Sequence, residues 1–83
     1  MNYDMLPEHM RSAMRLYIEQ HIPPGGFLTA VLSNKLVESF AKADQINQEN
    51  MLNFVMFLYN EAPSECWGSE EKVDQWLNRG NTH

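Results

Sequence analysis

The side chains that could do chemistry are few, and the cysteine and the histidines are the first to consider. Cys66 is the single cysteine, and the histidines are His9, His21 and His83. A thiol beside an imidazole can act as a nucleophile with its base, so Cys66 with His9 or His21 is one candidate. The spacing of these residues matches no metal-binding pattern, and a lone cysteine beside Trp67 is more often a packed apolar residue. We therefore expect no catalytic residue, no metal site and no cofactor, and we predict that the protein is not an enzyme.

A second feature that could bind a ligand is the stretch "HIPPGGFLTAVLSN", in which two prolines meet two glycines before an apolar run. Glycines at the start of a helix let backbone N–H groups approach an anion, and phosphate loops add a lysine or a hydroxyl at fixed spacing. Here Phe27 and Leu28 follow the glycines directly, and no strand precedes them, so a simple helix start is favoured. The alternative is an anion site between subunits, and its residues would be Gly25, Gly26, Thr29, Lys35 and Tyr17.

The third feature is an aromatic-rich segment, "YNEAPSECWGS". A large aromatic side chain in a surface loop can anchor a protein partner. The alternative, which we favour for Trp67, is that its ring folds back and fills the gap between two helices, because a small core needs its aromatic residues. The candidate partner-binding residues are Tyr59, Asn60 and Trp67, together with Phe54 and Phe57 from the preceding helix.

The elements that position these residues are predicted to be helices only. Apolar residues recur at helical spacing in four segments, residues 6–20, 26–43, 44–62 and 70–80, and no alternating pattern indicates a strand. The second segment keeps its apolar stripe across Ser33 and Asn34, which favours one continuous helix. The sequence therefore predicts an all-α fold, a compact bundle of about four short helices. It forms a single domain over residues 1–83, with frayed ends at residues 1–5 and 80–83.

Two of the predicted helices carry specific expectations about the core. In the second helix, the stripe expected to face the core is Leu28, Leu32, Leu36, Phe40 and Ala43. In the third helix, the expected core face is Met51, Leu52, Val55, Leu58 and Tyr59. Phe54, Met56 and Phe57 fall outside that face, so either the other helices enclose them or a second copy of the chain covers them. We predict self-association as a homodimer or a higher oligomer.

Composition and charge exclude several function classes. The 83 residues leave room for one domain, and eleven acidic against six basic residues give a net charge of −5. Scattered cations in an acidic chain argue against direct nucleic-acid binding and against an anionic membrane surface. The N-terminal "MNYDMLPEHM" lacks the features of a signal peptide, and the apolar run "FVMFLY" is too short to span a bilayer. With one cysteine and no disulfide, a cytoplasmic location is expected.

The segments "LPEHM", "YIEQHIPPGGFLTAVLSN", "AKADQIN", "FLYNEAPSECWGS" and "VDQWL" cover nearly the whole chain. Their combination resembles a family of short hypothetical proteins encoded by phages, prophages and plasmids. The resemblance implies a phage-related context and no catalytic residues. Small phage accessory proteins are often binders of host factors, so it favours stoichiometric binding of a host protein, such as a counter-defence inhibitor acting in the host cytoplasm. The alternative is an oligomeric sponge for a small anionic ligand such as a signalling nucleotide, and a third hypothesis is a virion or assembly component.

Overall fold

Short α-helices joined by tight turns make up the protein, whose structure is a computed structural model that describes residues 1–81. Within that range there are six α-helices and no strand, so the all-α prediction is confirmed. The predicted number of helices, about four, was too low. The helices are α1 (Glu8–Gln20), α2 (Gly26–Leu32), α3 (Leu36–Lys42), α4 (Gln45–Glu49), α5 (Met51–Asn60) and α6 (Glu70–Asn78). Three 3-10 turns lie at Tyr3–Met5, Ser64–Cys66 and Arg79–Asn81.

The segment predicted as one helix over residues 26–43 is two helices, because Asn34 ends α2. Asn34 has a left-handed backbone with φ of 62°. Its N–H donates to the Val31 carbonyl at 3.1 Å, and the Lys35 N–H donates to the Ala30 carbonyl at 3.0 Å. This pair of bonds is the Schellman ending, which asparagine supports because it tolerates the left-handed region. The prediction of continuity through Ser33 and Asn34 was therefore wrong.

The segment predicted as a third helix is also interrupted, at Asn50 between α4 and α5. Asp44 caps α4 by accepting the Asn47 N–H at 2.7 Å. Asn50 leaves the helical region with φ of −111° and ψ of 15°, and its side-chain amide donates to the Ile46 carbonyl at 2.8 Å. Asparagine side chains compete in this way with backbone groups, which is why they interrupt helices.

The core lies between α1, α2, α5 and α6. Its largest fully buried side chains are Leu6, Met14, Tyr17, Leu28, Leu32, Phe54, Phe57, Cys66 and Val73. Two polar groups inside it are satisfied by long-range bonds, because the Tyr17 hydroxyl donates to the Cys66 carbonyl at 2.7 Å and the Trp76 indole donates to the Tyr17 carbonyl at 2.9 Å. These hydrogen bonds join α1 to α6 and to the turn that precedes α6, so the three form one unit.

The N-terminal residues belong to this unit, although residues 1–5 were expected to fray. Tyr3 is buried, with its ring 5.4 Å from that of Phe57, and its hydroxyl donates to Glu19 at 2.9 Å. The Asn2 N–H donates to the Glu61 carboxylate at 2.7 Å. At the other end, the turn Arg79–Asn81 follows α6 directly. Residues 82 and 83, which include His83, lie outside the described residues, so the expectation of fraying there concerns a part that the structure does not describe.

Beyond Leu32 the predicted stripe of the second helix does not face the core. Leu36 is 67% exposed and Phe40 is 43% exposed, whereas Leu28 and Leu32 are fully buried. The left-handed residue at the end of α2 turns the chain, so α3 packs back on α2 with Ser39 inward and its apolar side outward. The expectation that Phe40 is a core residue was therefore wrong.

Most of the predicted core face of α5 is exposed. Leu52, Val55 and Tyr59 are exposed, with Leu52 at 71%, whereas Phe54 and Phe57 are buried; Leu58 is buried, as predicted. Because both faces are apolar, the period alone does not decide between them. The rings decide it, since Phe54 packs edge-on against Phe27 at 5.2 Å and Phe57 packs against Tyr3.

Candidate functional site

Among residues 1–81, the Cys66 thiol is not hydrogen-bonded to the imidazole of His9 or His21. Cys66 is fully buried, and burial raises the pKa of its thiol to about 11, so it stays protonated at neutral pH. His9 binds Asp44 at 3.0 Å, and His21 binds the Trp76 carbonyl at 2.8 Å through Nδ1. Over residues 1–81, no three His, Cys, Asp or Glu side chains are grouped so that they could hold a metal ion.

A cleft of about 260 Å³ brings together three of the residues predicted for anion binding. Its lining is Gly26, Thr29, Ala30, Ser33, Lys35, Glu38, Lys42 and Glu70. Gly25 adjoins it as the N-cap of α2, with φ of 93°, and its carbonyl accepts the Thr29 hydroxyl at 2.7 Å. Tyr17 does not reach the cleft, because it is fully buried and binds the Cys66 carbonyl.

The charges in this cleft neutralise one another. Lys42 Nζ lies 2.9 Å from Glu38, and Lys35 Nζ lies 3.4 Å from Glu70 and 3.8 Å from Glu38. The hydrogen bond from Lys42 is the largest cause that holds the pKa of Glu38 below its usual value. Two ammonium groups and two carboxylates sum to no net charge, so the cleft offers an anion no net positive charge.

The aromatic residues predicted to contact a partner divide into three environments. Phe54 and Phe57 are fully buried in the core, so no partner can reach them in this fold. Trp67 is partly buried and packs against the core, which is the arrangement that we favoured from the sequence. Its loop is fixed by the Gly68 N–H, which donates to the carbonyl of Leu32 at 2.8 Å.

Only Tyr59 and Asn60 of that set are exposed, and they lie at the end of a much larger apolar surface on α3 and α5. We call Leu36, Val37 and Phe40 the α3 row, and we call Leu52, Val55, Met56 and Tyr59 the α5 row. All seven side chains are between 41% and 82% exposed. The rows are neighbours, because Leu36 and Val55 line one groove between the two helices.

This apolar surface contains no charged residue, and the same is true of the whole of α5. Charges lie on the other side of α3, where Glu38 and Lys42 line the cleft. The largest apolar patch of a typical monomer is about 300–600 Å² and is often functional, so seven exposed apolar side chains on two neighbouring helices mark a candidate interaction surface. The sequence did not indicate this surface, because α3 was taken as part of a continuous, buried helix. Asn34, which interrupts that helix, was the available signal.

Comparison with known proteins identifies no similar protein. The chain matches no protein-family model, no curated protein and no solved structure. Among residues 1–81, every helix is too short or too polar to cross a bilayer. The apolar surface is therefore the feature of the described structure on which a functional proposal rests.

Proposed function

We propose that this protein is a non-enzymatic, phage-type accessory protein that acts by stoichiometric binding of a host protein. The observation that supports this proposal is the apolar surface on α3 and α5. Apolar side chains gain roughly 25 cal/mol per Å² when a partner removes them from water, so such a surface favours a protein partner. None of its seven side chains is a cation, and Lys35, which lines the groove between the rows, already pairs with Glu38 and Glu70, which disfavours a nucleic-acid partner.

Within this surface, the α3 row is the better site for the host protein. Val37 is the most exposed large apolar side chain of the described residues, at 82%. Lys35 is the N-cap of the same short helix, and Glu38 and Lys42 stand on its other side, so both signs of charge lie around the α3 row. Apolar contact supplies affinity, and adjacent charges supply selectivity.

The proposal is tested with Val37→Asp and a matched control, Ile46→Asp. Both residues are exposed, both are β-branched, and each is the second residue of its helix, where an acidic side chain is compatible with the helix N-terminus. Ile46 lies outside the apolar surface, beside Pro7 and His9. A tagged protein is used to capture partners from host lysate, the partner is identified by mass spectrometry, and the complex is rebuilt from purified components.

We expect a fixed stoichiometry in the rebuilt complex, with affinity lost by about tenfold or more in Val37→Asp and unchanged in Ile46→Asp. Equal binding by both variants would place the host contact elsewhere on the molecule. Turnover of any substrate by the purified chain, surviving in Val37→Asp, would refute the non-enzymatic part of the proposal.

A second candidate function is sequestration of a small anion such as a signalling nucleotide. The observation that favours it is the cleft, where Gly26 and Thr29 meet the ammonium groups of Lys35 and Lys42. It ranks second because both ammonium groups already pair with carboxylates. Calorimetric titration with ATP and with a cyclic dinucleotide tests it, using Lys35→Ala as the variant that should lose binding.

A further inference from the structure

We propose that the α5 row binds a second copy of this chain, with the two α5 helices packed antiparallel about a two-fold axis. The inference rests on the proposed function in one respect, namely that the apolar surface binds proteins. It assigns the two rows to different partners. The α5 row of each copy is covered by the other copy, and the α3 row of each copy stays open to the host protein.

Charge favours a second copy at this position. The chain carries a net charge of −5, so two copies repel wherever their acidic surfaces approach. Along α5 there is no charged residue over ten positions, and its polar residues are the amides Asn53 and Asn60. The nearest charges are Lys35, in the groove beside Val55, and Glu49 and Glu61 just outside the two ends of α5. The α5 row itself thus places no like charges against each other when two copies meet.

The spacing of the row fits antiparallel pairing with itself. Leu52, Val55, Met56 and Tyr59 stand at i, i+3, i+4 and i+7, which is one face of a helix. Read in the opposite direction the spacing is the same. In an antiparallel pair, Leu52 therefore meets Tyr59 of the other copy, and Val55 meets Met56 of the other copy, so all four positions are covered at once.

The area of the row suits a dimer of moderate affinity. Four large side chains, each between 41% and 76% exposed, present on the order of 500 Å² per copy. Two copies then bury on the order of 1,000 Å² in total, which is where specific interfaces begin. We therefore expect a dimer that dissociates at micromolar concentration.

Sedimentation velocity over a concentration series tests the dimer, with Val55→Asp and a matched control, Ile46→Asp. Both changes replace an exposed β-branched side chain, each 53% exposed, by a negative charge, but Ile46 lies on α4, away from the row. We expect twice the monomer mass for the unchanged protein and for Ile46→Asp, and a dimer about tenfold or more weaker for Val55→Asp. Tyr59→Asp, at the most exposed position of the row, repeats the test at a site where folding is least affected. A clean monomer for the unchanged protein at high micromolar concentration would overturn the proposal.

Disulfide trapping tests the direction of packing. The native Cys66 is buried and does not interfere. Leu52→Cys and Tyr59→Cys are made separately, mixed and oxidised. Antiparallel packing predicts that the mixed disulfide between the two variants forms fastest, whereas parallel packing would yield disulfides within each variant and would refute the geometry.

The two proposals can fail separately. If the α5 row binds a second copy and the α3 row binds the host protein, Val37→Asp keeps the dimer and loses the host protein, while Val55→Asp does the reverse. Loss of host binding in Val55→Asp at concentrations where the unchanged protein is monomeric would show that the α5 row belongs to the host contact, and would overturn this inference alone.

Discussion

At the scale of single residues, the two adjacent glycines before α2 have different roles. Gly25 has φ of 93° and ψ of 170°, a conformation open to glycine and strained for any other residue. Gly26 is the first residue of the helix, and a methyl group there would lie 3.6 Å from the Lys42 side chain, an ordinary contact. The backbone therefore requires glycine at position 25 and accepts other residues at position 26.

We expect Gly25→Ala to destabilise the fold by about 1 kcal/mol or more, because alanine must adopt a positive φ there. Gly26→Ala should leave the stability unchanged or slightly raised, since alanine favours a helix over glycine. Urea unfolding monitored by circular dichroism measures both. Equal destabilisation by the two variants would mean that the turn before α2 differs from this structure. Unchanged stability in Gly25→Ala would have the same meaning.

At the scale of elements, the break between α2 and α3 separates a helix with buried apolar side chains from a helix whose apolar side chains are exposed. Leu32 is fully buried, and Phe40, eight residues later, is 43% exposed. We expect Leu32→Ala to lower the free energy of unfolding by about 2–5 kcal/mol, and Phe40→Ala by less than about 1 kcal/mol. Thermal melts of the two variants check this. A severe loss in Phe40→Ala would indicate that α2 and α3 form the continuous helix that the sequence alone suggests.

The elements also show how far sequence reasoning reaches. Helical spacing identified the regions of all six α-helices of residues 1–81, because backbone geometry fixes the period at 3.6 residues and buried side chains such as Met14 and Val73 recur at that period. The interruptions at Asn34 and Asn50 were missed, since asparagine ends or continues a helix according to tertiary packing.

The candidate site was missed for the same reason. Once α3 is detached from α2, its apolar residues no longer belong to the core, and only the fold reveals that Leu36 and Val55 line one groove. On α5, Tyr59 and Asn60 are exposed as partner-binding candidates should be, although Tyr59 was also placed on the expected core face, and the candidates Phe54 and Phe57 are enclosed by the other helices. A helix that is apolar on both faces contains no internal signal for which face is buried.

At the scale of the whole molecule, two buried tyrosines link the N-terminal turn and α1 to the rest of the core. Burial, followed by the hydrogen bond to Glu19, raises the pKa of Tyr3 to about 12. Burial is also the largest cause that raises the pKa of Tyr17. In the unfolded chain, both hydroxyls lose their protons near pH 10. The folded protein therefore retains tyrosine protons that the unfolded chain releases, and the stability contributed by the tyrosines is complete below about pH 10 and declines as the pH rises toward about 12.

This decline can be assigned to Tyr3 with one variant. Tyr3→Phe keeps the ring that packs on Phe57 and removes the ionisable hydroxyl along with its bond to Glu19. We expect it to be somewhat less stable than the unchanged protein at neutral pH and to lose less further stability between about pH 8 and pH 11. Urea midpoints at the two pH values, with tyrosinate absorbance recorded in the same samples, measure both effects. Identical alkaline losses in the two proteins would mean that the Tyr3 hydroxyl is open to solvent and that the N-terminal turn does not pack on α1 and α5 as described here.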